Sequence, residues 1–223
     1  EAGHWILDSK ISTPMSTYLD FKNSRTSFGI NVMKSIVVEV EASDGSIGVS
    51  TGQGGAPACY MIEQHFRRFI VGLDPRDINK AWDQMYRASM YYGGKGLPMW
   101  AISVVDLALW DLLGVIRNEP VYKMIGGSVR DEIELYCTGI RPDAAKEAGF
   151  IGGKMPLPFA PVDRHEGLKA NVEHFQEMRN KVGSDFWLMA DCWMSLDVSY
   201  AVELANAMQD VDLYWIEEAL HPG

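Results

Sequence analysis

One repeated pattern organises the second half of the chain: a short apolar run followed by an amphipathic stretch. The apolar runs cover residues 133–137, 150–157, 186–191 and 213–217, and stretches with helical periodicity separate them. Because strands that alternate with helices run side by side in one direction, this order predicts a parallel sheet with helices packed against it. A closed barrel of this kind needs eight strands. The pattern therefore indicates either an open four-stranded sheet or the first part of a larger barrel.

Acidic residues stand at the ends of the last two runs. The run 186–190 ends in Asp191, and the run 213–216 ends in Glu217 and Glu218. Parallel strands present ligand-binding residues at their C-terminal ends, so the acids of two neighbouring strands would lie side by side. Hard divalent cations prefer carboxylate oxygens. The spacing indicates a metal site at Asp191 and Glu217, whereas the alternative is that these acids cap helices or face solvent in turns.

The first half of the chain begins without periodicity and continues with a hairpin and helices. Residues 1–29 are expected to form a long loop with two notable cations, His4 and Arg25. These are either ordinary surface side chains or part of a binding loop, because long loops in compact domains are often functional. Residues 30–51 alternate as a β-hairpin. Residues 97–113 form a helix that is apolar almost all round and is therefore expected to be buried.

Other motifs in this half carry little functional signal. The glycines at 52–55 and 93–96 lack the spacing of dinucleotide-binding and phosphate-binding loops. The absence of a dinucleotide-binding glycine motif argues against a nicotinamide oxidoreductase, which an open doubly wound sheet would otherwise allow. Asp106 and Asp111, inside the apolar helix, are both expected to be structural hydrogen-bond partners.

Composition excludes some partners and favours one compartment. A formal net charge of −10 would repel nucleic acid and an anionic membrane surface. The three cysteines are widely spaced and odd in number, which favours free thiols in a reducing, cytoplasmic setting. Neither a signal peptide nor a membrane-spanning run is visible. The chain does not begin with Met, so the first residues of the gene product are expected to be missing.

Two segments carry a family resemblance. ISVVDLALWDLLG (102–114) and PVYKMIGG (120–127) resemble the signature of the mandelate racemase branch of the enolase superfamily, and Asp191 and Glu217 resemble its first two metal ligands. Further segments resemble the sugar-acid dehydratases of this branch: GHWI (3–6), TPMS (13–16), NSRTSFGINV (23–32), CTGIRPD (137–143), GFIGGKMP (149–156) and DFWLMADCWMS (185–195). The resemblance covers essentially the whole chain. It implies an α+β capping domain at residues 1–127, followed by the first half of a TIM-type (β/α) barrel at residues 128–223.

The resemblance also implies a reaction. It implies a magnesium-dependent lyase that dehydrates a sugar acid, with L-rhamnonate the expected substrate, by abstracting the proton α to the carboxylate. Asp191 and Glu217 would bind Mg²⁺, and His4 and Arg25 would contact the substrate. The third metal ligand is expected beyond Gly223. Relatives of this kind assemble into homo-oligomers. The alternatives are a racemase, epimerase or cycloisomerase on the same scaffold, or an inactive fragment of such an enzyme.

One departure from the family pattern concerns the catalytic base. Many relatives carry Lys-x-Lys at the end of the second barrel strand, where the second lysine is the base. Here the corresponding residues are Lys154, Met155 and Pro156, and proline cannot accept a proton. The resemblance therefore implies a base beyond Gly223, a histidine paired with an aspartate. Lys154 is expected either to help bind the substrate carboxylate or to be structural.

Overall fold

The computed structural model describes residues 9–23, 26–29 and 33–222. The chain divides into two compact units. The first unit covers residues 31–131, and the second covers residues 132–223 together with the described part of residues 1–30. The described part of the N-terminal segment thus groups with the second unit, whereas the family resemblance implies a capping domain over residues 1–127. The boundary at residue 127 stays a prediction.

The first unit consists of a hairpin followed by helices. Its antiparallel strands are β1 (Ser35–Glu41) and β2 (Ile47–Gln53), in agreement with the hairpin predicted over residues 30–51. The helical elements are α1 (Gly55–Met61), a π-helical turn (Ile62–Phe66), α2 (Arg67–Ile70), α3 (Ile78–Ser89), α4 (Leu97–Arg117) and α5 (Val121–Met124).

Helix α4 lies close to the hairpin because β2 places a glycine against it. A Cβ atom at Gly48 would lie 2.3 Å from the backbone oxygen of Ala108. Asp111 Oδ2 accepts a hydrogen bond of 2.8 Å from the backbone N–H of Val49. This contact confirms the structural role predicted for Asp111, although its side chain is exposed rather than buried.

Burial of α4 is one-sided, which differs from the expected burial all round. Its inner face forms the core of the first unit with α3 and the hairpin, whereas Leu107 is 54% exposed and Val115 is 51% exposed. The hairpin and α3 cover only one side of the helix. Among the described residues, α4 is the one helix long and apolar enough to cross a membrane. This is weak evidence for a span, since core helices meet the same criteria.

The second unit contains a parallel sheet of four strands in sequence order: β3 (Tyr136–Thr138), β4 (Gly152–Pro156), β5 (Trp187–Asp191) and β6 (Trp215–Glu217). The connecting helices are α6 (Pro142–Glu147), α7 (Arg164–Val182) and α8 (Val198–Ala207). Short 3₁₀ turns lie at Pro14–Thr17, Leu19–Phe21, Thr26–Phe28, Pro161–Asp163 and Gln209–Val211. The parallel βα order predicted from the sequence is confirmed.

The two faces of this sheet have different environments. Leu188, Ala190 and Cys192 alternate along β5 and its end, and they pack into one core with Phe175 of α7 and Leu204 of α8. Successive side chains of a strand point to opposite faces. Asp191 therefore lies on the face opposite to this helix-covered core.

Candidate metal centre

Two carboxylates lie side by side at one edge of the second unit's sheet. Asp191 ends β5 and Glu217 ends β6, and the two residues are Cα partners in the parallel pairing. Partner side chains of neighbouring strands point to the same face. Asp191 is buried at 8% exposure, whereas Glu217 is partly exposed. The structure thus brings together the two acids that the sequence singled out.

Lys154 presents a positive charge to both carboxylates. It lies in the middle of β4, where its Cα partner on β5 is Met189, two positions before Asp191. Its Nζ atom lies 3.2 Å from Asp191 Oδ2 and donates a hydrogen bond to Glu217 Oε1. Lys154 is only 7% exposed. The second unit therefore holds a buried cation in contact with both acids.

The remaining two carboxylate oxygens accept hydrogen bonds from tryptophans. The backbone N–H of Trp193 donates to Asp191 Oδ1 at 3.3 Å, and Trp215 Nε1 donates to Glu217 Oε2 at 3.1 Å. Trp215 lies two positions before Glu217 on β6, so their side chains share a face of the sheet. Each of the four oxygens has a donor, which fixes the orientation of both carboxylates.

The loops that follow β5 and β6 contain an uncommon backbone conformation. Trp193, Met194 and Glu218 have φ values of 49°, 57° and 47°, a region that residues other than glycine seldom adopt. The backbone N–H of Met194 donates to the Glu218 carbonyl at 2.6 Å, which ties the two loops together. Backbone strain of this kind concentrates at functional sites.

The local charges shift the pKa values of several groups. Burial lowers the pKa of Lys154, but the hydrogen bond to Glu217 and the charge of Asp191 outweigh it and raise the pKa overall. Burial, together with the two neighbouring acids, raises the pKa of Glu218. Burial is also the main cause that raises the pKa of Cys192 to about 12. Cys192 is therefore a neutral thiol and a poor nucleophile.

The described N-terminal residues contact this edge of the sheet. The backbone N–H of Ser12 donates to the carbonyl of Leu157 at 2.8 Å, and the side-chain hydroxyls of Ser12 and Ser195 are hydrogen-bonded. Leu157 follows β4 and Ser195 follows β5, so both contacts lie near the strand ends. The predicted substrate contacts His4 and Arg25 lie outside the described residues.

Two members of this cluster were not assigned to the site from the sequence. The sequence allows two roles for Lys154, substrate binding and structural support, and predicts none for Trp215. A charged residue inside a wholly buried strand is a signal for Lys154, because buried charges are normally paired. The period of two along a strand is a signal for Trp215, since it places this side chain on the same face as Glu217.

Asp191 and Glu217 fit a divalent cation. Their carboxylates already meet at one cation, the Lys154 ammonium group, and oxygen donors suit Mg²⁺. Within residues 9–23, 26–29 and 33–222, no group of three or more His, Cys, Asp or Glu side chains could hold a metal ion. Asp191 and Glu217 are therefore two candidate ligands, and both their role and a third ligand beyond Gly223 stay predictions.

Comparison with known families identifies the fold. The N-terminal domain model of mandelate racemase / muconate lactonizing enzyme matches residues 12–126, and the enolase C-terminal domain-like model matches residues 142–223. The chain belongs to the mandelate racemase / muconate lactonizing enzyme family. The predicted fold class, a capping domain of this family followed by part of a (β/α) barrel, is confirmed.

Individual relatives narrow the resemblance. The chain is 55% identical to an L-rhamnonate dehydratase of Saccharopolyspora erythraea over 219 residues, which are 98% of this chain and 56% of the relative. The structure of the rhamnonate dehydratase from Gibberella zeae complexed with Mg is similar at a TM-score of 0.96 and 57% identity, covering 100% of this chain and 55% of that one. A racemase from Streptomyces coelicolor A3(2) with bound magnesium is similar at a TM-score of 0.74 and 33% identity, covering 85% and 56%.

These relatives are longer than the chain. The chain spans 56% of the length of the Saccharopolyspora erythraea dehydratase. A (β/α) barrel has eight strands, and four strands are present in the described sheet of the second unit. The metal-binding role of Asp191 and Glu217 is consistent with this placement at the strand ends and stays a prediction.

Proposed function

We propose that this chain is part of a magnesium-dependent sugar-acid dehydratase whose substrate is L-rhamnonate and whose product is 2-keto-3-deoxy-L-rhamnonate. One observation carries the proposal. Asp191 and Glu217 lie at adjacent strand ends, and both contact the ammonium group of Lys154. The chain that carries them is 55% identical to an L-rhamnonate dehydratase. The reaction removes the proton α to the carboxylate and the hydroxyl group at the β carbon, and the resulting enol tautomerises to the keto acid.

Asp191 and Glu217 would hold the Mg²⁺ ion. Bound there, the ion would offset the negative charge that develops on the substrate carboxylate as the α proton leaves. The two acids themselves are poor candidates for the base, because their oxygens are engaged by Lys154, Trp193 and Trp215. Their role is to position charge rather than to move protons.

The proton-transfer groups are assigned outside these residues. Pro156 stands at the end of β4, where many relatives have a lysine base, and it cannot take a proton. We expect the base in a part of the protein beyond Gly223, as a histidine paired with an aspartate. Departure of the β-hydroxyl group needs a general acid.

We further propose that His4 and Arg25 contact the substrate. The support is the position of their described neighbours, since Ser12 is hydrogen-bonded to Leu157 and Ser195 beside the strand ends. A guanidinium group suits the planar carboxylate of a sugar acid. Arg25→Ala is expected to raise KM strongly while the affinity for Mg²⁺ stays unchanged, measured by steady-state kinetics and calorimetry on the full-length protein. An unchanged KM would remove Arg25 from the substrate site.

Two finer assignments complete the proposal. We propose a cytoplasmic location, supported by three free cysteines, Cys59, Cys137 and Cys192. We also propose a homo-oligomer, and the exposed apolar side of α4 offers a surface that subunits could bury. Light scattering of the full-length protein after gel filtration would test the second assignment, and a monomeric mass would contradict it.

The decisive test measures the product. The full-length protein is incubated with Mg²⁺ and a panel of C5 and C6 sugar acids, and formation of 2-keto acid is followed with and without a chelator. The proposal expects keto acid from L-rhamnonate, and none after chelation. An epimerised acid that retains its water would indicate a racemase or epimerase, and a rearranged isomer would indicate a cycloisomerase. Turnover that survives complete metal removal would contradict the assigned metal site.

A further inference from the structure

We propose that Lys154 is an internal counter-cation of the Asp191–Glu217 pair. Its ammonium group contacts one oxygen of each carboxylate, and it would compete with a divalent ion for these oxygens. The inference rests on the metal site of the proposed function and adds a role for a residue of this chain. It differs from both roles that the sequence suggested for Lys154, substrate binding and plain structural support.

Placing Asp191 next to Glu217 has an electrostatic cost. Asp191 and Glu217 are Cα partners on neighbouring strands, and only 8% of Asp191 is exposed. Two nearby negative charges repel each other, and burial of one of them adds to the cost of holding them together. The Lys154 Nζ atom, 3.2 Å from Asp191 and hydrogen-bonded to Glu217, offsets the repulsion. This ammonium group therefore compensates part of the negative charge of the pair.

Lys154 contacts the carboxylate oxygens that a shared metal ion would need. Lys154 contacts Oδ2 of Asp191 and Oε1 of Glu217, one oxygen from each acid. The other two oxygens accept hydrogen bonds from Trp193 and Trp215. The oxygens that both acids direct to a common point are thus the ones that Lys154 holds, and a cation shared by both residues needs the same pair.

Binding of a divalent ion by these two acids would require the Lys154 ammonium group to move away. A unit positive charge a few ångströms from a second cation repels it, and the repulsion is weakly screened in a buried site. Lysine carries its charge on a flexible four-carbon stem, so its ammonium group can withdraw without a change in the strand. Lys154 therefore stabilises the metal-free protein and weakens the binding of the metal ion.

Lys154→Met in the full-length protein tests this, because methionine keeps much of the stem and removes the charge. Calorimetric titration with Mg²⁺ or Mn²⁺ alone is expected to give a dissociation constant lower by about tenfold or more, as expected from removing a weakly screened charge. The chelator-treated variant is expected to unfold at a lower temperature than the wild type. Its rise in Tm on adding metal is expected to exceed that of the wild type.

Two further variants separate charge from packing. Lys154→Arg keeps the charge and is expected to bind Mn²⁺ with nearly the wild-type dissociation constant. Lys146→Met is the matched control, because Lys146 Nζ donates to the Val182 carbonyl at 2.6 Å in the same unit and touches neither acid. It is expected to lower Tm equally with and without metal and to leave the dissociation constant unchanged.

The outcomes distinguish this inference from the proposed function. If Lys154→Met binds the ion as weakly as the wild type or more weakly, or loses equal stability with and without metal, Lys154 is not a counter-cation and the inference fails while the metal site stands. If the wild type binds neither ion, or if Asp191→Asn binds it as well as the wild type, the metal site fails and the inference fails with it.

Discussion

Asp111 in the first unit and Asp191 in the second are both aspartates that accept a backbone hydrogen bond, yet their surroundings differ. Asp111 is exposed and accepts a hydrogen bond of 2.8 Å from the backbone N–H of Val49, which ties α4 to the hairpin. Asp191 is buried, lies beside Glu217 and shares Lys154 with it. One neutral donor satisfies the first acid, whereas the second is held against a like charge.

The two environments have different energetic consequences for the folded protein. An exposed carboxylate with a neutral donor adds about 1 kcal/mol of stability and needs nothing further. Two adjacent carboxylates, one of them buried, disfavour the folded protein unless a cation compensates their charge. Lys154 supplies this compensation, and a divalent ion held by the same two acids stays a prediction.

The sharpest way to break the comparison is to neutralise each aspartate in turn. Asp191→Asn is expected to reduce Mg²⁺-dependent turnover of the full-length protein by more than about 100-fold, because even outer partners of metal ligands contribute 10–100-fold. Asp111→Asn is expected to leave turnover intact and to lower stability by less than about 1 kcal/mol. Keto-acid assays and thermal unfolding measure both, and full activity of the Asp191 variant would refute its assignment as a ligand.

A buried charge with neutral partners provides an intermediate case in the second unit. Arg179 of α7 lies beneath the starts of β5 and β6, and burial lowers its pKa. Its guanidinium group donates hydrogen bonds of 2.7–2.8 Å to four backbone carbonyls, those of Val211, Gly183, Phe186 and Asp212. These contacts fix loops and strand starts, not the strand ends where the acids lie.

Arg179→Met is therefore expected to destabilise the protein strongly without changing the site. The expected loss in the free energy of unfolding is about 3 kcal/mol or more, because four carbonyls lose their donor and two of these hydrogen bonds are buried. Denaturant titration measures it, and Arg87→Met, which breaks an exposed ion pair with Asp83, is the control with little or no expected loss, because exposed ion pairs add little stability. A variant that stays folded but no longer binds Mg²⁺ would show that Arg179 also serves the site.

Packing in the first unit depends on a missing side chain rather than on charge. A Cβ at Gly48 would lie 2.3 Å from the Ala108 carbonyl oxygen, so Gly48→Ala must push α4 away from β2. The expected loss is about 1–3 kcal/mol, as for other overpacked sites. Gly139→Ala is the control, because no atom lies within 4 Å of its added Cβ. Equal stability of the two variants in thermal unfolding would mean that the close approach of helix and hairpin is not required.

Local patterns in the sequence were sufficient for most of the fold. Period-two alternation predicted the hairpin, and apolar runs separated by helical stretches predicted the parallel sheet, because both depend on neighbouring residues alone. The acids at 191 and 217 were found for the same reason, since each ends its own strand and parallel strands end at a common edge. The runs overestimated strand length: residues 133–137 were predicted, and β3 covers Tyr136–Thr138.

Contacts between distant segments could not be predicted in this way. The reach of Lys154 to two acids depends on the register of β4 against β5, where it pairs with Met189. The one-sided burial of α4 depends on which elements cover it. The grouping of the N-terminal segment with the second unit depends on contacts such as Ser12 with Leu157. Each is set by tertiary pairing, which leaves no periodic trace along the chain.

The smallest expected effect tests whether the site needs its own supporting hydrogen bonds. Trp215 Nε1 donates to Glu217 Oε2 at 3.1 Å, so Trp215→Phe keeps an aromatic ring and removes only the donor. Mg²⁺ affinity is expected to fall by about tenfold, the lower end of the effect of outer partners of metal ligands. Trp187, stacked on Tyr214 at a centroid distance of 4.3 Å, is the matched control, because it begins β5, far along the strand from Asp191. If Trp187→Phe weakened binding as much as Trp215→Phe, the loss would come from general loosening of the sheet, and the orienting role of the indole would be rejected.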